Sequence, residues 1–381
     1  MNYAITLYSI SGNSLRIFNG YSFFDDYLKE NDYLHVFIPS NFHTNYVFND
    51  SDNVFLSLFF TSQYARVKSI ITDKFTLGGP LMDFIQETRC RVITGPFERA
   101  FGLDISSNFS FYFEDFIKKM LSSNEKIKNV VFSFSIANGC YYGDCLFCYS
   151  KYVSRYNRPG SIEVLAELAN VGGRLSSIDS KIYIFTCQDS VPGPTLEKAF
   201  TSLNLPENIF VEFFIRPDLD VSIFQDRDLS QYVFLIGLEA LSQTIVDTLQ
   251  KGYDVVKGLE LIEEIIKHNG TAEITLLNDF PFLSNEMLSE HIDNLRTLRR
   301  IATKYNARNR IRVRIYEKIR WFDGVIPSRF FYPVKQVSPN EFYIDYSSNK
   351  QVVELNNRMY RETISSPLLI LNIQNAGMYE E

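Results

Sequence analysis

Three of the chain's five cysteines fall inside Asn138-Gly-Cys-Tyr-Tyr-Gly-Asp-Cys-Leu-Phe-Cys148, and this stretch limits what the chain can become more than any other. Crowding Cys140, Cys145 and Cys148 together calls for a metal. A structural zinc closes with four Cys or His ligands, whereas three thiolates with no evident fourth suit a cubane iron–sulfur cluster in which one iron has no protein ligand. Leu146 and Phe147 supply apolar shelter, and Gly139 and Gly143 let the backbone bend around it. Zinc stays open as an alternative, with Cys187 as fourth ligand. Disulfides are disfavoured, because five cysteines is an odd number, 381 residues need no staples, and no signal peptide is visible.

The length allows two domains, one of them a barrel of about 200 residues, and 45% hydrophobic residues supply the core. A net charge of -7 argues against a general nucleic-acid binder, which needs basic density to displace counterions. No apolar run reaches the ~20 residues that cross a bilayer, and the opening Met1-Asn-Tyr-Ala-Ile lacks a basic start, so neither membrane nor secretion is expected. Reduced thiols agree with a cytoplasmic location. Most of the 33 Phe and 23 Tyr are expected to be core residues.

Residues 1–105 alternate short strands, expected at 3–10, 33–38, 54–60 and 75–77, with helical connectors, the pattern of a small α/β domain. A polar, serine-rich linker at 106–128 encloses an apolar segment at 109–121. Residues 129–320 then repeat strand and helix. Strands are expected at 130–136, 181–186, 209–215, 232–236, 273–277 and 311–316, with the cysteine loop at the C-terminal end of the first. Helices are expected from Ser161, read as an N-cap, and at 195–203, 241–250, 256–268 and 285–305. The remainder, 321–381, is a C-terminal extension. In a parallel barrel, functional groups sit on loops leaving the C-terminal ends of the strands, which is where the cysteines fall.

The cysteine trio ending in Cys-x-Phe-Cys after an apolar strand resembles the cluster loop of radical S-adenosylmethionine enzymes. The commonest family spacing has three residues between the first two cysteines; here there are four, Tyr141 to Asp144, and longer gaps occur in relatives that modify ribosomally made peptides. A second segment, Gly237-Leu-Glu239-Ala-Leu-Ser242 followed by Leu249-Gln-Lys251-Gly252, is similar to another family motif. The resemblance implies an α/β fold, a partial (β/α)6 TIM-type barrel preceded by a Rossmann-like domain. It also implies a [4Fe-4S] cluster on Cys140, Cys145 and Cys148 whose fourth iron takes the amino and carboxylate groups of S-adenosylmethionine.

By position, Gln188 and Asp189 would meet the methionine amino group, Arg216 its carboxylate, Glu212 the ribose, and Glu239 the adenosine or its neighbours. Gly237 would allow close backbone approach. At Asn278-Asp279, direct adenosine contacts are not expected. Tyr141, Tyr142 and Tyr149 are expected to pack near the loop, and Arg310, Arg312, Arg314 and Glu317 supply charges on or near the sixth strand.

The first domain, with Gly78-Gly79-Pro80 and Gly95-Pro-Phe-Glu98, is similar to cobalamin-binding domains. It lacks the Asp-x-His-x-x-Gly signature, which residues 41–46 only echo through His43, so a relic without cobalamin is favoured over one that binds it.

The layout implies reductive cleavage of S-adenosylmethionine to a 5′-deoxyadenosyl radical that abstracts hydrogen from a ribosomally synthesised peptide, leading to epimerisation or to backbone or side-chain rearrangement. Cys187 is a candidate hydrogen donor. An external electron donor and a separate leader-peptide-binding protein are the expected partners. Two alternatives stand beside this reading: a cobalamin-dependent radical methyltransferase and a noncatalytic zinc-binding interaction module.

Overall fold

A computed structural model describes residues 2–18, 33–39, 53–57, 71–78, 87, 89–92, 113–134, 136–148, 156–157, 161–175, 181–185, 190–316, 319, 321–322, 332–338, 341–366 and 368–374. Cys187, Gln188, Asp189, Tyr149, Glu317, Gly79-Pro80 and segments 41–46 and 93–98 lie outside them. No helix among the described residues is long and apolar enough to cross a membrane.

The first strand, β1 (Asn2–Ser11), turns at Gly12, where a φ of +58° suits a residue without Cβ, into β2 (Ser14–Phe18). Parallel to β1 run β3 (Tyr33–Pro39) on one side and β4 (Val54–Ser57) on the other, followed outward by β5 (Phe75–Gly78) and β6 (Arg91–Val92). The resulting order β3-β1-β4-β5-β6 is a doubly wound one, and its first four strands fall where the alternating pattern put them. Inside the expected linker, Phe113–Ser123 forms helix α1. Its apolar residues recur at helical spacing: Ile117 and Leu121 are buried, and Phe116 stacks on Phe37 with centroids 4.2 Å apart.

Beyond α1 come β7 (Asn129–Ser133), the short pair β8 (Ala137–Asn138) and β9 (Tyr156–Asn157), α2 (Ser161–Leu175) and β10 (Lys181–Phe185). Ser161 is the first residue of its helix rather than the residue before it. The alternation continues through α3 (Gly193–Ser202), β11 (Ile209–Ile215), β12 (Tyr232–Glu239), α4 (Gln243–Thr248), α5 (Val255–Lys267), β13 (Thr271–Leu277), α6 (Asn285–Lys304) and β14 (Ile311–Tyr316). The strands β7, β10, β11, β12, β13 and β14 pair in chain order, all parallel. These are the six strands read from the sequence.

The chain then adds a small antiparallel sheet of β15 (Trp321–Phe322), β16 (Val334–Ser338) and β17 (Glu341–Ile344), helix α7 (Lys350–Ile364) and strand β18 (Leu369–Gln374). β18 pairs parallel with β14, and β2 pairs parallel with β7 at the other end, so the six strands sit within a longer curved row. Among the described residues β2 and β18 do not pair, so the barrel is partial.

Period-two patterning sets what faces where. In β11, Ile209, Val211, Phe213 and Ile215 are buried, while Phe210, Glu212 and Phe214 are only partly so. The buried set faces the helices: Phe200 of α3 packs edge-on against Phe213, Tyr232 and Phe234. Much of the aromatic content is thus core. The other set faces the barrel interior, as do Arg312, Arg314 and Tyr316 in the same alternation on β14.

Candidate active site at the barrel mouth

The cysteine loop follows β7 and lies across the C-terminal ends of β11 and β12. Gly139 and Gly143, both at φ +74°, bend it as glycine alone readily can. Leu146 N donates to Leu249 O at 2.9 Å, and Tyr142 Oη donates to Gln250 O at 3.0 Å, fixing the loop to the turn after α4. Tyr141 Oη donates to Asp218 Oδ1 at 3.1 Å, fixing it to the turn after β11. Gly252, at φ +65°, lies so close under the Tyr142 ring that a Cβ there would collide with it.

Two buried cations lie behind the loop. Arg216, 4% exposed, donates from Nε and Nη2 to the two oxygens of Asp218 at 2.9 and 3.1 Å and from Nη2 to Lys251 O at 2.7 Å. Its guanidinium carbon is 4.0 Å from the centroid of the Tyr142 ring, a cation–π contact. Lys251, 6% exposed, donates to Gly237 O at 2.8 Å and Glu239 Oε1 at 3.0 Å, with its ammonium 5.7 Å from the Phe147 ring centroid. Glu239 takes φ +63° at the end of β12, and Thr275 Oγ1 donates to its second oxygen at 3.2 Å.

Burial works against the charge of Lys251, but Glu239 and Cys145 more than offset it, and its pKa lies above the ordinary lysine range. The Cys145 thiol is pushed up by burial, with Lys251 and Arg216 pulling the other way. Trp321, fully buried, meets the Phe147 ring edge-on at 6.5 Å, so the C-terminal unit closes over the back of the loop.

The donor set fits an iron–sulfur cubane. Cys140, Cys145 and Cys148 lie on one glycine-bent loop, and Cys148 N donates to Cys145 O at 3.2 Å. Cys140 and Cys145 are close enough to interact electrostatically, and two buried cations face Cys145. No trio of Cys, His, Asp or Glu among the described residues is gathered tightly enough to ligate a single ion.

The residues expected to touch S-adenosylmethionine divide. Arg216, Gly237 and Glu239 meet at the mouth. At Gly237 a Cβ would come to 3.0 Å from Glu239 Oε1 and 3.6 Å from Lys251 Nζ, so the network packs against bare backbone there. Glu239 orders its neighbours, with both oxygens engaged by Lys251 and Thr275. Glu212 lies lower, midway along β11, among charges on β2, β13 and β14, away from the mouth network. At the end of β13, Asp279 accepts from Ile319 N at 2.8 Å and Tyr346 Oη at 2.6 Å, which ties down the C-terminal unit. In the sequence Lys251 stands out only as part of the Lys251-Gly252 motif, with no sign of its ion pair to Glu239. Thr275, whose signal was only its position on the alternating face of β13, and Trp321, whose signal was being the single tryptophan, were missed.

The partial parallel barrel preceded by a small parallel sheet is a fold that this chain shares with solved S-adenosylmethionine radical enzymes. The apo form of OxsB, a cobalamin-dependent S-adenosylmethionine radical enzyme, aligns with 77% of this chain and 51% of its own, at TM-score 0.53 and 14% identity. The form with aqua-cobalamin and S-adenosylmethionine bound aligns with 96% of this chain and 56% of its own, at TM-score 0.54 and 13% identity. The chain spans about half the length of those proteins. A spore photoproduct lyase structure aligns over 98% of both chains at a TM-score of 0.45 and 8% identity, too low to support any argument. No protein-family model and no curated protein sequence matches the chain.

Proposed function

We propose that the chain is a radical S-adenosylmethionine enzyme. The observation that carries this reading is the cysteine loop anchored over the C-terminal ends of β11 and β12 in an open parallel barrel. A [4Fe-4S] cluster held by Cys140, Cys145 and Cys148 would supply the electron for reductive cleavage of S-adenosylmethionine to methionine and a 5′-deoxyadenosyl radical. The chain's own residues prepare the place. Lys251 and Arg216 balance thiolate charge, Phe147 and Trp321 keep water from the back of the loop, and the Glu239–Lys251–Thr275 network fixes the floor of the mouth.

The substrate in this reading is a ribosomally synthesised peptide, hydrogen being abstracted from a side chain or α-carbon, with Cys187 as candidate hydrogen donor and a leader-binding protein and an external electron donor as partners. Support comes from the layout of a small doubly wound domain ahead of the barrel and from the long first gap of the cysteine motif. A cobalamin-dependent reaction is the second reading, favoured by the β3-β1-β4-β5-β6 order and by the likeness to OxsB.

Anaerobic reconstitution with iron and sulfide, then assay for 5′-deoxyadenosine with dithionite, tests the first reading. About four irons per chain and cleavage of S-adenosylmethionine are expected. Stoichiometric zinc without iron, or iron without cleavage, overturns it. Corrin bands in the purified protein would decide for the second.

A further inference from the structure

Below the mouth, the barrel interior carries a second charged layer that the cluster and S-adenosylmethionine do not use. Glu212 of β11 has Glu273 of β13, Arg16 of β2 and Arg314 and Arg312 of β14 as its electrostatic neighbours, and Tyr183 of β10 lies against Arg312 and Glu212. Four strands, β2, β11, β13 and β14, therefore bring three guanidiniums and two carboxylates near one another, Arg16 being exposed. Among the described residues of this layer the guanidiniums outnumber the carboxylates, in a chain whose net charge is -7. Burial and the repulsion of Glu273 push Glu212 up to about 7, which makes the layer more cationic still below that pH.

Arg314 is the residue whose bonding is incomplete. Its Nη2 donates to Glu273, which is 5% exposed, while its Nε is buried and has no acceptor among the described residues. Nε and Nη2 form the edge of a guanidinium that grips an oxyanion with two parallel hydrogen bonds, so here half of that edge is used by the protein. A buried donor left without an acceptor forfeits a hydrogen bond that a ligand oxygen would restore. Tyr183, stacked on Phe210 with centroids 5.2 Å apart, gives the layer an aromatic wall.

We infer that this layer is an oxyanion site, in which Arg314 through Nε, with Arg312 and Arg16 beside it, holds a carboxylate or phosphate of the substrate and positions the rest of the molecule toward the mouth. Its role as a substrate anchor rests on the proposed radical reading; the binding itself does not.

The test uses the full chain without iron or S-adenosylmethionine, so it stands or falls apart from that reading. Binding of N-acetylglycine, a lone carboxylate, and of methyl phosphate is followed by NMR line broadening at constant ionic strength. Saturable binding of one probe, weakened at least tenfold in Arg314→Gln and by a smaller factor in Arg312→Gln, is expected, and the probe that binds names the source. Because Arg314→Gln leaves Glu273 buried without its partner, the double variant Glu273→Gln/Arg314→Gln removes one charge of each sign, keeps the layer's net charge unchanged and gives the same comparison. Failure of both probes to bind the unaltered chain, or affinities unchanged in the double variant, overturns the proposal.

Discussion

The two charged levels of the barrel interior are built on opposite plans. At the mouth the two buried cations among the described residues are matched: Arg216 is forked onto Asp218, and Lys251 is held between Glu239 and the Gly237 carbonyl. Lower down, three arginines stand near two glutamates among the described residues, and Arg314 has a buried N–H without an acceptor among them. A site that must hold a pre-formed loop in register gains from complete satisfaction, because a half-satisfied polar network gives no unique geometry. A site that binds something keeps donors that only the ligand completes. The contrast separates scaffold from receptor within one set of strands.

The sharpest way to separate the two levels is to remove the loop's chemistry. Cys145→Ala is expected to lower reconstituted iron from about four per chain to near zero while probe binding in the lower layer is unchanged. Iron and colorimetric sulfide analysis alongside the NMR titration would show this, and a parallel loss of both would join what is here kept apart.

Breaking one matched pair at the mouth comes next. Lys251→Met strands Glu239 in a buried position and is expected to cost about 3–5 kcal/mol in denaturant unfolding. The double variant Lys251→Met/Glu239→Gln, having no stranded charge, should recover much of it. A single variant as stable as the parent would show the pair to be idle.

Titration sharpens the comparison further. Glu212 in the fold has a pKa above the unfolded value, so its contribution is complete below about 4.5 and is lost as pH rises to about 7. Fully buried His291 behaves oppositely: burial lowers it to about 4, so its contribution is complete above 6.5 and is lost as pH falls. It lies on α6, where Leu241 N donates to Nδ1 at 3.3 Å and Nε2 is 3.4 Å from Thr363 Oγ1 of α7. The two slopes oppose each other between pH 4.5 and 6.5. Glu212→Gln should therefore unmask the histidine, giving stability that rises with pH and exceeds the parent's by about 3 kcal/mol at pH 8 relative to pH 4.5. Melting curves across that range that run parallel for variant and parent would remove Glu212 from the account.

The smallest expected effect is at Gly252. Gly252→Ala places a Cβ at φ +65° against Tyr142, which should cost about 1–2 kcal/mol and loosen the loop's anchor at Gln250. Faster proteolysis within 138–148 would accompany it, and an unchanged cleavage rate would show that Tyr142 does not hold the loop.

Much of this architecture was legible in the sequence, for a local reason. The six barrel strands are short apolar runs separated by amphipathic helices, and patterning at period 2 against 3.6 is decided by neighbours along the chain. The cysteine loop was legible because its ligands lie within nine residues. The C-terminal strand β18 was not, because a single apolar run after a helix carries no signal of which sheet edge it will join. The placement of Glu212 was missed for a related reason: counting along β11 locates a residue on the inner face, but its level in the barrel depends on register with four other strands.

What the sequence alone determined is thus the parts and their order: strands, helices, and three thiols on one loop. Only the tertiary structure decided which charges meet. Arg216 with Lys251 O spans 35 residues, and Arg314 with Glu273 spans 41. Coulomb energy depends on distance in space and on the depth of burial, neither of which a linear pattern contains. Closing the strands side by side made one level of the interior self-sufficient and left the level beneath it with a surplus of positive charge.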